Sequence, residues 1–488
     1  MPRSRELSGV DRDFFALVSR AAFANPFGEE RLDLDRRLGA GPRGAPPAEI
    51  TSRMVAAVAA RVEGLGAARL DDFASADREA LRIAFLFDAF HRSTEALDAS
   101  IQEQIREPAE PVRIAWASDV LAQLARRGLG EAEAVRFFGL FFQLRRAFWF
   151  ISNSLVGTSA SMRALRERLW RNVFTGDVIL YERWLWDRME DFSTLLLGET
   201  GTGKGAAAAA LGRSGWIPFE PKKRTFAVSF METFLSINLS QFPESLIESE
   251  LFGHRKGAFT GAVDDHHGVF DRVSAHGAIF LDEIGEVGVP VQIKLLRTLQ
   301  ERVFQPVGSH DTRRFHGRVV AATNRSIEDA RRRGAFRDDF YYRLSSDVVV
   351  VPPLRARLAE DPGELDVLLE HVVARMIGRP APELVRLARE SIDRRPGPGY
   401  AWPGNVRELE QCVRRILIAG EYEGDAAAAA SEEEALAEGI RGGTLDAREV
   451  LSIYCRILHR RLGTYEEVGR RLGLDRRTVK KYLRPAES

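Results

Sequence analysis

A glycine-rich loop between a predicted strand and a predicted helix constrains the fold of this chain more than any other feature. Residues 193–197 are an apolar run typical of a buried parallel strand, and the alanine run at residues 206–210 favours a helix. Between them the glycines at 198 and 203, followed by Lys204, have the spacing of a phosphate-binding loop. Such a loop directs backbone N–H groups and a lysine at phosphate oxygens. The predicted nucleotide-binding residues are Gly198, Glu199, Thr200, Gly201, Thr202, Gly203, Lys204 and Gly205.

Polar side chains follow two further predicted strands, residues 278–281 and 318–322. Asp282 and Glu283 end the first, and Asn324 follows the second. Ligands of parallel α/β sheets bind at the carboxyl ends of the strands, so we expect these side chains near the phosphate-binding loop. A carboxylate there can hold Mg²⁺, and its neighbour can polarise the water that attacks a phosphoryl group. A nucleotide and Mg²⁺ are therefore the predicted ligands, with Asp282 as the metal residue.

The position after Lys204 departs from the usual pattern. A serine or threonine normally stands there and contacts Mg²⁺, whereas this chain has Gly205. We expect altered metal affinity and turnover.

Length and composition limit the classes of protein to consider. A chain of 488 residues exceeds one compact core, so two to four domains are expected. The formal net charge of zero argues against a wholly basic nucleic-acid-binding protein. The two cysteines lack the spacing of a metal site or disulfide, and no stretch has the length and hydropathy of a membrane span or secretory signal. A cytoplasmic location without membrane association is the expectation.

Residues 1–150 show apolar residues at helical spacing and no repeated β-α pattern, which argues against a phosphoacceptor receiver domain. The most hydrophobic stretch, residues 137–150, is rich in phenylalanine. Those rings could line a small-molecule pocket, but aromatic residues at helical spacing usually pack in a core or between domains, and we favour that interpretation.

A second loop has the composition of a mobile contact element. One aromatic residue and one hydroxyl residue lie between small residues, and the flanking glycines permit positive φ angles. A flexible loop with an apolar tip suits contact with a partner during a conformational change. The loop consists of Gly257, Ala258, Phe259, Thr260, Gly261 and Ala262.

The C-terminal tail is basic and has the pattern of a helix-turn-helix. Residues 441–488 contain twelve Arg or Lys against six Asp or Glu, a net charge of +6. We predict helices over 446–461, 465–472 and 476–483, with Thr464 as an N-cap. A helical hairpin with a solvated basic face is the alternative. The predicted DNA-contacting residues are Arg476, Arg477, Thr478, Lys480 and Lys481.

From about residue 154 to residue 420 the chain resembles the AAA+ domain of bacterial sigma-54-dependent transcription activators, the enhancer-binding proteins. The loop at 257–262 is nearly diagnostic of that family. The resemblance implies that the nucleotide cofactor is ATP. It further implies ATP hydrolysis in a homo-oligomeric ring, a hexamer in the family, and contact of Phe259 and Thr260 with sigma-54 RNA polymerase bound at a promoter. It also implies binding of upstream enhancer DNA.

The resemblance assigns roles to individual residues of the predicted ATPase site. Asp282 and Glu283 match the Walker B acids, Asn238 matches the residue that restrains the catalytic glutamate, and Asn324 lies in the first sensor. Arg337 and Arg343 match arginines that reach the ATP site of a neighbouring subunit. Arg407, in the second sensor, is expected to reach nucleotide from the lid.

The predicted fold is multidomain. It comprises a helical N-terminal regulatory domain of unidentified input (1–150), an AAA+ α/β P-loop ATPase subdomain (151–353), its helical lid (354–420), a linker (421–443) and an all-α helix-turn-helix domain (444–488). Two alternatives remain open: a DNA-tethered nucleotide switch that hydrolyses ATP poorly, and an AAA+ remodeller of another complex, such as one for repair or replication.

Overall fold

The computed structural model describes residues 5–42, 44–397, 399–422, 424, 436–437, 439–440, 442–443 and 445–483. The chain forms two compact units that divide between Val367 and Leu368. Most of the predicted linker at 421–443 lies outside the described residues. In the described part of the chain, no helix combines the length and the hydropathy that a bilayer crossing requires.

The first unit begins with helices, as predicted for residues 1–150. They are α1 Gly9–Phe23, α2 Glu29–Gly39, α3 Pro47–Gly64, α4 Ser75–Arg92, α5 Thr94–Arg106, α6 Ala117–Arg126, α7 Glu131–Ser154 and α8 Ala160–Phe174.

Strands and helices alternate after residue 190. The strands are β1 Thr194–Leu197, β2 Phe219–Glu220, β3 Thr225–Phe226, β4 Phe234–Asn238, β5 Ala278–Asp282, β6 Val303–Phe304, β7 Arg313–Arg314, β8 Arg318–Thr323 and β9 Asp347–Val350. One short helix, α9 Val178–Leu180, precedes β1. The helices after β1 are α10 Lys204–Gly212, α11 Glu244–Phe252, α12 Val269–Arg272, α13 Val289–Glu301, α14 Ile327–Arg332, α15 Asp338–Leu344, α16 Leu354–Glu360 and α17 Glu364–Ile377.

The central sheet has five parallel strands in the order β4-β5-β8-β1-β9. Its inner strands β5 and β8 are buried almost throughout, which explains why they appear in the sequence as continuous apolar runs. Two antiparallel pairs, β2–β3 and β6–β7, lie outside this sheet. The parallel α/β fold predicted from the three apolar runs is confirmed.

The aromatic residues of α7 are core residues. Phe138 stacks edge-on against Phe219 at 4.6 Å, and Phe142 stacks on Phe226 at 4.2 Å between ring centroids. Because β2 and β3 carry those partners, one continuous apolar core joins the N-terminal helices to the α/β module. The core-packing interpretation of these rings is confirmed. The predicted domain boundary at residue 150 falls inside α7, which ends at Ser154.

The first unit extends beyond the predicted start of the lid at residue 354. Glu364, at the start of α17, accepts hydrogen bonds from the backbone N–H groups of Thr158 (2.5 Å) and Ser159 (2.9 Å), which precede α8. Its Oε1 also accepts a hydrogen bond from Arg357 Nε at 2.6 Å, and both side chains of this ion pair are at most 3% exposed. A buried ion pair capping a helix N-terminus fixes α16 to α8.

We expect Glu364→Gln to lower the free energy of unfolding by about 3 kcal/mol, since it leaves the Arg357 charge buried without a counter-ion. Burial raises the pKa of Glu364, but the Ser159 N–H, Arg357 and Thr158 N–H outweigh it and the net pKa is lowered. The stability is therefore full above the ordinary carboxyl pKa of 4.5 and is lost as pH falls through the lower folded pKa. Urea denaturation against pH measures both effects. Glu360→Gln is the control, because Glu360 is exposed and its carboxylate accepts from the Ser161 N–H. Equal losses of unfolding free energy in the two variants would contradict the role of the buried ion pair.

The second unit contains the remainder of α17 and further helices. They include α18 Pro382–Arg394, α19 Asn405–Ala419, and three C-terminal helices, Ala447–Leu462, Tyr465–Leu472 and Arg476–Leu483.

The three C-terminal helices match the predicted bounds to within one residue. Thr464 caps the second, where its hydroxyl accepts from Glu467 N–H at 3.3 Å, as predicted. Val468 and Val479 are fully buried against Leu458 and the apolar side chains of the same three helices. Gly473, at φ 68°, makes the turn before the last helix.

Candidate functional site

The predicted phosphate-binding loop lies between β1 and α10, with Lys204 as the first residue of α10. Gly201 and Gly203 have φ angles of 80° and 105°, which side-chain-bearing residues rarely adopt. A Cβ at Gly198 would lie 2.8 Å from the Val351 carbonyl, so only glycine lets the loop pass β9 this closely. The backbone therefore forms the cradle at a helix N-terminus that phosphate binding requires.

Lys204 lies inside that cradle although it is charged. Its Nζ donates to the carbonyl oxygens of Gly198 (2.7 Å) and Glu199 (3.0 Å), and the residue is 7% exposed. A buried ammonium group that donates to loop carbonyl oxygens can transfer these hydrogen bonds to phosphate oxygens. The residues present therefore fit a nucleotide phosphate group.

The carboxyl ends of four adjacent strands bring four of the six predicted catalytic residues to one edge of the sheet, namely Asn238, Asp282, Glu283 and Asn324. The register pairs Leu197 of β1 with Thr323 of β8, and Asn238 of β4 with Asp282 of β5. Because strands in a parallel sheet are about 4.8 Å apart, these ends line one edge of the sheet. The edge carries the phosphate-binding loop, Asn324 and the two acids in that spatial order.

Glu283 has an unusual backbone conformation. Its φ of 56° and ψ of 47° lie in the left-handed region, which costs a non-glycine residue about 1 kcal/mol or more. Its N–H is held by Asp282 Oδ1 at 3.1 Å. This conformation turns the chain sharply at the sheet edge.

Asn324 links the acid to the phosphate-binding loop. Its side-chain amide donates to Thr200 Oγ1 at 2.8 Å, and its backbone N–H donates to Glu283 Oε2 at 3.4 Å. One residue thus contacts both halves of the site, which is the geometry a sensor of bound phosphate needs.

Asn238 has a different local partner from the one that the resemblance implies. Its side-chain oxygen accepts from the Ser240 N–H at 3.0 Å and the Ser240 hydroxyl at 2.7 Å, capping a short 3₁₀ turn. The backbone of Asn238 pairs with β5 beside Asp282. Restraint of Glu283 by Asn238 stays a prediction.

The two candidate trans-acting arginines have partners within their own chain. Arg337 makes a bidentate pair with Asp339 at 3.0 and 2.8 Å. Arg343 donates to the Leu299 carbonyl at 3.1 Å through Nε, and that carbonyl lies in the last turn of α13. Contact with a neighbouring subunit would require both side chains to exchange these partners.

Arg407 lies in the second unit and is exposed at the start of α19. The preceding turn is closely packed: Trp402 and Asn405 are buried and have φ angles of 50° and 53°. The next residue, Glu408, accepts from the hydroxyls of Tyr400 (2.5 Å) and Tyr422 (2.7 Å). The turn therefore fixes the direction in which Arg407 leaves the helix.

Sequence reasoning missed one charged group at the loop. Arg355, the second residue of α16, makes a bidentate ion pair with Glu199 at 2.5 and 2.7 Å. The arginine lies 156 positions away in the chain, so no local pattern indicates the pair.

The stem of the second predicted loop is a small piece of sheet. His254 and His266 pair across the stem, with N–H to carbonyl distances of 3.0 and 2.9 Å. Arg255 N–H donates to the Val307 carbonyl at 3.0 Å, and Val307 N–H donates to Gly253 at 2.9 Å. The stem is therefore anchored on both sides by backbone hydrogen bonds.

Two aspartates hold the base of the loop. Arg255 bridges Asp265 and Asp311 at 2.7 Å each, and Asp265 also accepts from the Lys256 N–H at 2.8 Å. Sequence reasoning missed these aspartates, because a single aspartate in a loop has no pattern that distinguishes it from other surface acids.

The loop tip is compact and partly open to solvent. Gly257 N–H donates to the Ala262 carbonyl at 2.8 Å, which closes the six-residue loop. Phe259 is half-buried, with its ring edge-on to His254 at 4.9 Å, whereas Thr260 is exposed. Gly308 of the β6–β7 hairpin lies so close that a Cβ there would be 2.7 Å from the Ala258 Cβ. The structure thus presents Thr260 on a loop that is supported by its own stem, where His254 pairs with His266, and by the β6–β7 hairpin.

The last helix carries an exposed basic face. Arg476, Arg477, Lys480 and Lys481 are exposed, as predicted for DNA-contacting residues. Thr478 differs, because it is half-buried and its hydroxyl donates to Asp475 Oδ2 at 2.5 Å. Its structural role is to hold the helix N-terminus.

Comparison with known proteins agrees with the motifs. The sequence model of the family described as Sigma-54 interaction domain matches residues 186–350. The Nif-specific regulatory protein of Azotobacter vinelandii is 39% identical over 269 residues, which cover 55% of this chain and 45% of that protein. Regulatory protein AtoC of Escherichia coli (strain K12) is 37% identical over 226 residues, which cover 46% of this chain and 45% of AtoC. The chain spans about half the length of these curated relatives.

Among solved structures, NtrX from Brucella abortus in complex with ATP is 20% identical, with a TM-score of 0.42 over 75% of this chain and 79% of that chain. A TM-score this low supports no shared arrangement, so the assignment rests on the sequence matches. The predicted resemblance to the sigma-54-dependent transcription activators is confirmed by the match of residues 186–350 to the sigma-54 interaction domain and by these relatives.

Proposed function

We propose that this protein is an ATP-hydrolysing transcription activator that remodels sigma-54 RNA polymerase through the loop at residues 257–262. The observation that carries the proposal is the physical connection between that loop and Glu283. In vitro transcription from a sigma-54 promoter tests it: we expect transcript only when the chain and ATP are both present. Transcript formation without ATP would contradict the proposal.

The connection runs through α11, which ends at Phe252 immediately before the loop stem. Its first residue, Glu244, packs against Gly288, five positions after Glu283, where an added Cβ would collide with the Glu244 carboxylate. Lys294 of α13 forms an ion pair with Glu248, one helical turn further along α11. A shift of the backbone after Glu283 would therefore be transmitted to α11 as a rigid element.

The site residues divide the ATPase reaction among them. The loop backbone and Lys204 would bind phosphate, Asp282 would hold Mg²⁺, and Glu283 would orient and polarise the attacking water. ATP supplies the phosphoryl group whose transfer to water releases the free energy. Asn324 reports the state of the site, because it contacts both Thr200 and Glu283.

A homo-oligomeric ring, by family resemblance a hexamer, would complete each site. We propose that Arg337 and Arg343 then reach the ATP site of the adjacent subunit and stabilise the transition-state charge. We also propose that Arg407 contacts nucleotide, that the three C-terminal helices are a helix-turn-helix bound to upstream enhancer DNA, and that the protein works in the cytoplasm.

Gly205 offers a test of the metal role. Its Cβ position has no neighbour closer than Phe280 at 4.0 Å, so a side chain fits. We expect Gly205→Ser to lower the Mg²⁺ concentration at half-maximal ATPase by roughly threefold to tenfold, since the hydroxyl adds the missing oxygen contact. Gly205→Ala adds the Cβ without the oxygen and is the control. An equal change in both variants would contradict a metal contact.

The basic face of the last helix offers a test of DNA binding. We expect Lys480→Ala to weaken binding to the chain's upstream DNA and to lower the slope of log K against log salt by about 1, as for one lost phosphate contact. Arg470→Ala, an exposed arginine on the preceding helix, is the matched control. Fluorescence anisotropy at several salt concentrations measures both. If the two variants behave alike, the last helix is not the DNA-reading element.

A further inference from the structure

A cavity of about 340 Å³ lies at the end of the sheet opposite the predicted ATP site. Its walls come from α7, the segment between α8 and β1, the turn after α10, and the first residues of β5 and β8. The volume is at the lower end of the range for small-molecule sites. None of the predicted functional residues lines it.

Two indole rings form the apolar wall. Trp186 and Trp216 are half-buried and meet edge-to-face, with centroids 4.9 Å apart at an angle of 71°. Met189 and Leu211 extend the same wall. Half-buried indoles around a void of this size suit a flat aromatic ring, which gains both burial and quadrupole interactions.

Arg318 places a positive charge in the cavity lining. Its Nε donates to the Phe192 carbonyl at 2.8 Å, and its Nη2 donates to Asn172 Oδ1 at 2.9 Å and Thr194 Oγ1 at 3.1 Å. These acceptors are neutral oxygens, and Nη1 makes no hydrogen bond to the residues that the structure describes. Burial lowers the pKa of Arg318 to about 10, so the guanidinium is charged at neutral pH.

The carboxylate that acts electrostatically on Arg318 is Asp347, which itself forms an ion pair with Arg168. Within the part of the chain that the structure describes, no carboxylate lies within ion-pair distance of its guanidinium. The cavity's own acids face other cations: Asp187 pairs with Arg188 at 3.7 Å, and Glu190 lies beside Arg302. A partly buried guanidinium with neutral partners favours an anionic ligand.

We propose that this cavity binds a small aromatic carboxylate, with the ring against Trp186 and Trp216 and the carboxylate on Arg318. Gln143 and Tyr181 form its inner wall, where their side chains are mutually hydrogen-bonded at 2.7 and 3.1 Å. Gln143 also donates to the Ser214 carbonyl at 3.0 Å, which ties the N-terminal helices to the turn after α10.

The position suits an effector site. The cavity touches the far ends of α10, β5 and β8, whose near ends carry Lys204, Glu283 and Asn324. A helix of nine residues spans roughly 13 Å, so a ligand that shifts these elements acts on the ATP site without contacting it.

Isothermal titration of the full chain with benzoate tests the site, with benzamide as the neutral isostere. We expect benzoate to bind with a Kd below about 1 mM and benzamide to bind at least tenfold more weakly. Arg318→Gln should remove that discrimination, a readout that a purely structural role would not change. Equal binding of the two compounds to the unmodified chain, or no benzoate binding, would overturn the proposal.

Ala275 provides variants that leave the buried network intact, since it is exposed and lines the cavity. Ala275→Trp fills the space and should abolish benzoate binding, whereas Ala275→Ser should retain it. Benzoate binding that survives Ala275→Trp would place the ligand elsewhere.

The effector role rests on the proposed nucleotide binding and has its own measurement. We expect saturating benzoate to change the Kd of a fluorescent ATP analogue at least twofold, and to have no effect in Ala275→Trp. Unchanged nucleotide affinity with benzoate bound would overturn the effector role. Absence of nucleotide binding in every sample would instead contradict the proposed ATPase, while the titrations still decide whether the site exists.

Discussion

Replacing Glu283 with glutamine is expected to lower steady-state ATPase by at least about a hundredfold while leaving nucleotide affinity within a few-fold of the original. The Glu283 carboxylate is placed to accept a proton from the attacking water. Glutamine keeps the size and the oxygen near the Asn324 N–H but removes that basicity. Phosphate release measures the rate, and titration with a fluorescent nucleotide measures the affinity.

Glu286→Gln is the matched control for that variant. Glu286 lies three positions away and pairs with Arg325 at 2.5 Å, so the same chemical change is made outside the catalytic edge. We expect near-normal turnover. ATPase that persists in Glu283→Gln would contradict the catalytic assignment, and negligible ATPase in the unmodified chain would favour the nucleotide-switch alternative.

Replacing Thr260 with alanine is expected to remove open-complex formation almost completely while the ATPase rate changes less than about twofold. Thr260 is exposed at the tip of a loop whose stem is anchored by backbone hydrogen bonds and by Arg255. Loss of one exposed hydroxyl leaves that stem and the ATP site intact. A partner contact through the hydroxyl is lost at the step that opens DNA.

Val263→Ala is the control for the loop, because Val263 is 69% exposed directly after it. We expect normal open-complex formation in that variant. If Thr260→Ala retains full promoter opening, the loop is not the contact with sigma-54, and an AAA+ remodeller of another complex becomes the better interpretation.

The fold and the catalytic edge could be predicted because their signals are local. The apolar runs of β1, β5 and β8 are buried on both faces, and the residues that follow each run are the site residues. Parallel pairing then brings those residues together without further information. The C-terminal helices were predictable for a similar reason, since Thr464 and Gly473 mark helix ends by their chemistry.

Other features depend on contacts between distant parts of the chain. The Arg355–Glu199 pair, the Glu364 cap on α8 and the Arg255–Asp311 bridge join residues 56 to 206 positions apart. The sequence predicted that the α7 rings pack in a core or between domains but not which elements cover them, because amphipathic periodicity shows that a face is buried but not what covers it. Asn238 and Thr478 show the same limit, since their roles were assigned by motif while their partners are local.

Promoter melting tests the central claim most directly, namely that ATP turnover at Glu283 drives the loop at residues 257–262 against sigma-54 polymerase. Permanganate footprinting of a sigma-54 promoter, with purified polymerase and the full chain, detects the unpaired thymines. We expect melting with ATP, and none with a non-hydrolysable analogue or with Glu283→Gln. Melting that proceeds equally without hydrolysis, or ATP turnover that never melts the promoter, would contradict the claim.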